Sequence, residues 1–121
     1  MIKKYIIFVS SLLVIGCSDP VKVSPDRLPD AYLNQPYETN IDISGGVVVG
    51  VGFYSEVSDA NFIIIPSIAE GGYKDYNLLT VTGTPTTSNP IYIYIAGDTY
   101  GTNFPGKQFE KKYTIEVMPS K

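Results

Sequence analysis

The sequence predicts an all-β fold, a single β-sandwich of about seven short strands, on three observations. Polar and apolar residues alternate with period 2 in several segments, most clearly where Tyr37, Thr39, Ile41 and Ile43 interleave with Glu38, Asn40 and Asp42. Such a pattern sets one face of a strand in water and the other in a core. Clusters of glycine, proline, asparagine and aspartate recur every ~8–12 residues, the spacing of turns between short strands. Ten tyrosines, eleven glycines and nine prolines, with no tryptophan, favour strands and turns over helices.

The chain opens differently. Lys3 and Lys4 precede an uncharged apolar run over residues 5–15. That run is too short for a membrane span, which needs ~20 apolar residues, and suits a processed secretory leader. It ends in Leu13-Val14-Ile15-Gly16-Cys17, and Cys17 is the only cysteine. The junction resembles the lipobox of bacterial lipoprotein signal peptides. The resemblance implies cleavage after Gly16, a diacylglycerol on the Cys17 sulfur and a fatty acid such as palmitate on the new amine. Lipidation also explains a lone thiol in an exported chain, which has no partner for an internal disulfide; the plainer reading is a chance thiol behind an ordinary leader. Two or three acyl chains anchor stably where one does not. Ser18 in place of aspartate favours the outer membrane by resemblance to sorting rules, an inference that Asp19 beside it weakens.

Removing residues 1–16 from the 121 leaves 105, one small domain. Lys3 and Lys4 leave with the leader, so the formal charge moves from −3 to −5. A mildly acidic domain has no electrostatic footprint for nucleic acid. Residues 17–26, with Pro20 and Pro25, read as a lipidated N-terminus and extended tether, or equally as an unstructured end. The domain is expected over 27–118.

Within it, 28–37 holds two prolines and reads as an edge strand followed by a bend. The alternating strand from Tyr37 ends at Ser44-Gly45-Gly46. Residues 47–57 are rich in valine and glycine and read as a buried strand with a glycine bend or bulge. The Gly50 and Gly52 pair lacks the third glycine and following helix of a phosphate loop. After a turn at 58–61, Phe62-Ile63-Ile64-Ile65 is a strand stopped by Pro66. A turn at 71–75 leads to 76–82, with Leu79 and Val81 on one face and Leu78 and Thr80 on the other. Residues 83–90 are turn chemistry throughout. Ile91-Tyr92-Ile93-Tyr94-Ile95 is wholly β-branched and aromatic, the strongest strand signal in the chain. A polar loop over 97–106 precedes a last strand, with Phe109, Lys111, Tyr113, Ile115 and Val117 on one side.

Several landmarks together resemble the immunoglobulin-like domains of bacterial surface proteins, relatives of cadherin-like domains. These are Leu28-Pro29, then Asn34-Gln35-Pro36-Tyr37 with asparagine where the family has glycine, Gly45-Gly46, Thr82-Gly83-Thr84-Pro85-Thr86, and a closing strand ending at Val117. The resemblance covers roughly 27–118 and implies an immunoglobulin-like sandwich. Residues 47–54 are longer than the family's segment and lack its tryptophan, and 61–66 replace its Leu-Pro-Pro-Gly-Leu turn. The acidic calcium motifs of true cadherins are missing. Asp59 and Asn61 are too few for a cation that wants six to eight oxygens, so no metal is expected.

The chain has no histidine, and Cys17 is assigned to lipid. That removes Ser-His-Asp and Cys-His machinery and the usual zinc sites. Glu38 with Asp42, and Glu110 with Glu116, read as ordinary acids on solvated strand faces, so neither enzyme nor cofactor is expected. If Ile91, Ile93 and Ile95 face the core, Tyr92 and Tyr94 face outward. With Tyr100 and Phe104 of the following loop they form the candidate binding patch; the opposite register would bury the tyrosines instead. The expected function is a lipid-anchored envelope protein that binds or adheres through its domain. Its partners would be the membrane, through Cys17, and a protein or glycan at the envelope. An immunity or exclusion lipoprotein blocking a toxin or phage protein, and an accessory of an envelope assembly, stand beside that reading.

Overall fold

The computed structural model describes residues 20–101 and 106–120. The expected leader, Cys17 and Phe104 lie outside them. Nine strands follow in chain order: β1 (Lys22–Ser24), β2 (Ala31–Tyr32), β3 (Tyr37–Ser44), β4 (Tyr54–Val57), β5 (Phe62–Ile68), β6 (Lys74–Gly83), β7 (Ile91–Asp98), β8 (Gln108–Ile115) and β9 (Val117–Met118). Seven of them build two antiparallel sheets, ordered β1-β3-β6-β5 and β4-β7-β8. The short β2 and β9 pair in parallel. Four strands on three, in this order, is the arrangement of constant-type immunoglobulin sandwiches. Among the described residues, no helix is long and apolar enough to cross a membrane.

The core forms where the inward faces of the two sheets meet. Ile41, Ile43, Leu79 and Val81 come from one sheet, and Ile91, Ile93, Ile95 and Ile115 from the other; all eight are fully buried. Each such side chain contributes ~1.5–3 kcal/mol relative to exposure. Register keeps the faces aligned, with Ile41 opposite Leu79 and Ile91 opposite Ile115. At the lower edge, the rings of Tyr37 and Phe62 lie 5.8 Å apart. Gly83 is required beside them, because a β-carbon there would fall 2.6 Å from Phe62 Cγ. Asn34 stands at φ 62, a left-handed turn that asparagine tolerates in place of glycine.

The N-terminal segment straps the edge of the sandwich. Tyr113 donates its hydroxyl to Pro25 O at 2.6 Å, and Tyr37 donates to Pro29 O at 2.9 Å. Lys111 Nζ lies 3.0 Å from Asp26 Oδ1 and 5.2 Å from the centre of the Tyr113 ring. Lys22–Ser24, expected within the tether, instead pairs with Asp42 to Ser44 of β3. Its half-buried Val23 packs on the core, which recruits it to the sheet.

Two other expectations are corrected. Residues 47–57 are not one buried strand: Val48 bridges Thr99, Gly50–Gly52 form a 3-10 turn, and the strand begins only at Tyr54. The connection is held by Asn77 of β6. Its Nδ2 donates to Ile43 O at 2.7 Å and Gly46 O at 2.8 Å, while its Oδ1 accepts the Val48 N–H at 3.0 Å. Gly50 lies under the Tyr76 ring, where a β-carbon would come within 2.8 Å of Cε1, and Phe53 packs on the same ring at 5.3 Å. Nor does Pro66 stop β5. The strand runs on to Ile68 across a register shift between Pro66 and Ser67. β5 is an edge strand, where a residue without an N–H is tolerated.

Candidate functional site

The outer face of β4-β7-β8 carries the candidate site. Ile91, Ile93 and Ile95 take the inner face of β7, so alternation sends Tyr92 and Tyr94 outward. Tyr92 is 57% exposed and Tyr94 half-buried. Register sets Tyr94 between Glu56 of β4 and Lys112 of β8, and Ala96 between Tyr54 and Glu110. Tyr92 lies opposite Thr114, and its backbone is fixed by Ser58, whose Oγ accepts the Tyr92 N–H at 2.9 Å.

Two of these rings meet edge to face, Tyr54 and Tyr94, with centres 6.0 Å apart. Each phenol is held by a carboxylate. Tyr94 donates to Glu110 Oε2 and Tyr54 to Glu56 Oε2, both at 2.8 Å. The bond to Glu110 is the main reason the Tyr94 phenol is pushed above its ordinary value; the bond to Glu56 does the same for Tyr54. Both phenols therefore stay protonated donors, and both carboxylates are oriented along the surface.

Open hollows flank the Tyr94 ring. The small Ala96 leaves one of about 590 Å³, walled by Tyr54, Tyr94 and Glu110. The other, of about 460 Å³, lies among Glu56, Tyr92, Tyr94, Lys112 and Thr114. Rigid amphipathic rings beside oriented carboxylates and one lysine can grip a partner through apolar contact and charge-assisted hydrogen bonds.

No family model, curated protein or solved structure matches this chain.

Of the four residues of the expected patch, the structure brings Tyr92 and Tyr94 together. Tyr100 does not join them. It lies beyond the end of β7, about 20 Å further along an extended chain, with its N–H donated to Val47 O at 2.9 Å. Phe104 is outside the described residues. Sequence reasoning missed Tyr54 and Glu56, whose alternation with the half-buried Ser55 and Val57 is concealed inside the longer valine- and glycine-rich run. At the opposite end of the sandwich, Asp59 Oδ1 accepts the Asn61 N–H at 2.8 Å, a turn-forming role. Among the described residues, no group of three or more acidic, histidine or cysteine side chains could hold a metal.

Proposed function

We propose that this chain is a lipid-anchored cell-envelope protein whose immunoglobulin-like domain is a non-enzymatic binding or adhesion module. The observation that carries the reading is the tyrosine face of β4-β7-β8. Tyr54, Tyr92 and Tyr94 stand exposed or half-exposed beside Glu56, Glu110 and Lys112, on a rigid sheet rather than a loop. Tyrosine is enriched at recognition surfaces because it offers large contact area at little entropic cost. The anchor is Cys17, on the resemblance of the Gly16-Cys17 junction to a lipobox, and the partner is a protein or glycan met at the envelope.

Two measurements test this. Cys17→Ser should abolish labelling by a fatty-acid analogue and release the chain from membranes; a serine variant that is still labelled refutes the anchor. For the module, the mature protein is used to capture partners from detergent-solubilised envelopes. Combined Tyr92→Ser and Tyr94→Ser should weaken retention roughly tenfold or more, as truncated hot-spot aromatics do, with the fold intact. Ile65→Ser, on the outside of the other sheet, should leave retention unchanged. Equal losses in both variants would remove the tyrosine face from consideration.

A further inference from the structure

Three connections and the start of the described chain gather at one end of the sandwich. Residues 45–53 join β3 to β4, 69–73 join β5 to β6, and the β7–β8 connection begins at Thr99. The first packs on β6 through Gly50 and Tyr76. It meets the third where Val49 donates to Asp98 O and Tyr100 to Val47 O, both at 2.9 Å. Pro20 and Val21 lie at the same place: a β-carbon on Gly45 would fall 2.6 Å from Pro20 O and 2.9 Å from Val21 Cα.

This end also displays apolar side chains. Val51 is 98% exposed and Tyr73 73%, and Val47, Ile68 and Tyr100 are each more than 60% exposed. Single exposed apolar residues are ordinary; four on the connections at one end, with Ile68 at the end of β5 beside them, are not. The other end is polar, presenting Ser58, Asp59, Thr86, Thr87 and Asn89. Charge divides the same way. Lys22, Lys74 and Lys107 match Glu70, Asp75 and Asp98 at the apolar end, whereas elsewhere Arg27, Lys111 and Lys112 face eight acids among the described residues.

We propose that this end of the domain lies on the lipid bilayer, with Val51, Ile68 and Tyr73 seated at the headgroup boundary. The inference rests on lipid attachment at Cys17. Cys17 stands three positions before Pro20, a reach of at most ~10 Å. The headgroup layer on each side of the hydrocarbon core is ~5–8 Å thick, so the tether holds Pro20 and the connection beside it within a few ångströms of that layer. Tyrosine suits that boundary, with its ring in the apolar zone and its hydroxyl in water. The near-balance of charge at this end, three lysines against three acids and Asp19 of the tether, lets it approach an anionic surface more readily than the acidic remainder. The domain then stands upright, its tyrosine face turned sideways along the membrane and its polar end outward.

The test uses the full mature lipidated chain in vesicles of phosphatidylethanolamine and phosphatidylglycerol. Once lipid occupies the Cys17 sulfur, Val51→Cys or Ser88→Cys supplies the one free thiol for an environment-sensitive fluorophore. Both positions are exposed, so neither change threatens the fold. The probe at 51 should emit to the blue and be quenched by lipid carrying a nitroxide near the top of its acyl chain. The probe at 88 should do neither. A lipidated chain, verified by mass, whose probe at 51 emits as in water overturns the inference and leaves the anchor standing. Absence of the lipid mass overturns both. Protection at 51 in native envelopes but not in vesicles of pure lipid also overturns it, in favour of a protein partner.

Discussion

Asn77 should be the most sensitive polar position in the domain. Its side chain makes three hydrogen bonds at 2.7, 2.8 and 3.0 Å, each with a backbone group of residues 43–48, and all are partly buried. At ~1 kcal/mol net per bond, Asn77→Ala should cost about 3 kcal/mol. For a domain near 100 residues that lowers Tm by roughly 12 °C or more. Asn77→Asp separates hydrogen bonding from packing because its shape is nearly unchanged. The introduced carboxylate still accepts from Val48, but it sets an anionic oxygen where an amide had donated to Ile43 O and Gly46 O. Two attractions become repulsions, so at pH 7 this variant should be less stable than Asn77→Ala. The two carbonyls favour the protonated acid, which raises its folded pKa above the unfolded value of about 3.9. The stabilising protonated form is then fully present below that unfolded value and lost as pH rises through the folded one. Relative to wild type, Asn77→Asp should therefore recover on acidification while Asn77→Ala does not. Urea unfolding of the three proteins at pH 4 and 7 measures this. If Asn77→Asp equals or exceeds Asn77→Ala in stability at pH 7, or shows no recovery in acid, the clamp is wrongly described.

Neighbouring residues of β7 should behave oppositely. Ile93→Ala empties a fully buried position and should cost ~2–5 kcal/mol, whereas Tyr92→Ser should barely move Tm; thermal melts of both check the assigned register. In alkali, Tyr37 and Tyr113 should ionise last. Burial first, then Asp30 for Tyr37 and Asp26 for Tyr113, pushes both phenols up from 10.0 to about 12. The stability linked to them is complete below pH 10 and lost as pH rises through 12, so phenolate absorbance and unfolding should climb together in that window.

The strands that alternate cleanly were legible in the sequence. In β3, β7 and β8 a residue's position in the pattern states its face, and Ile91, Ile93 and Ile95 follow it. Residues 47–57 were not legible, because valine and glycine in mixture suit a buried strand as well as a pinned loop. The deciding contacts come from Asn77 and Tyr76, some thirty residues away. Pro66 misled for a related reason: a proline ends a central strand but not an edge one, and edge status depends on the whole sheet. Two of the three tyrosines of that face, Tyr92 and Tyr94, were named from alternation alone. Tyr54 and Glu56 join Tyr94 only through the pairing of β4 with β7, and Tyr100 leaves the group because that strand carries it past the sheet's end.

β5 matters beyond its place in the sandwich. It forms one border of the four-stranded sheet, with Ile63 53% and Ile65 43% exposed, and such a border is a template for the strand of another copy. Pro66 offers no amide hydrogen, and the register breaks immediately after it, so a foreign strand finds only the short run from Phe62 to Ile65 before the ladder is interrupted. For copies of this chain brought close together, that interruption works against edge-to-edge pairing along the whole strand.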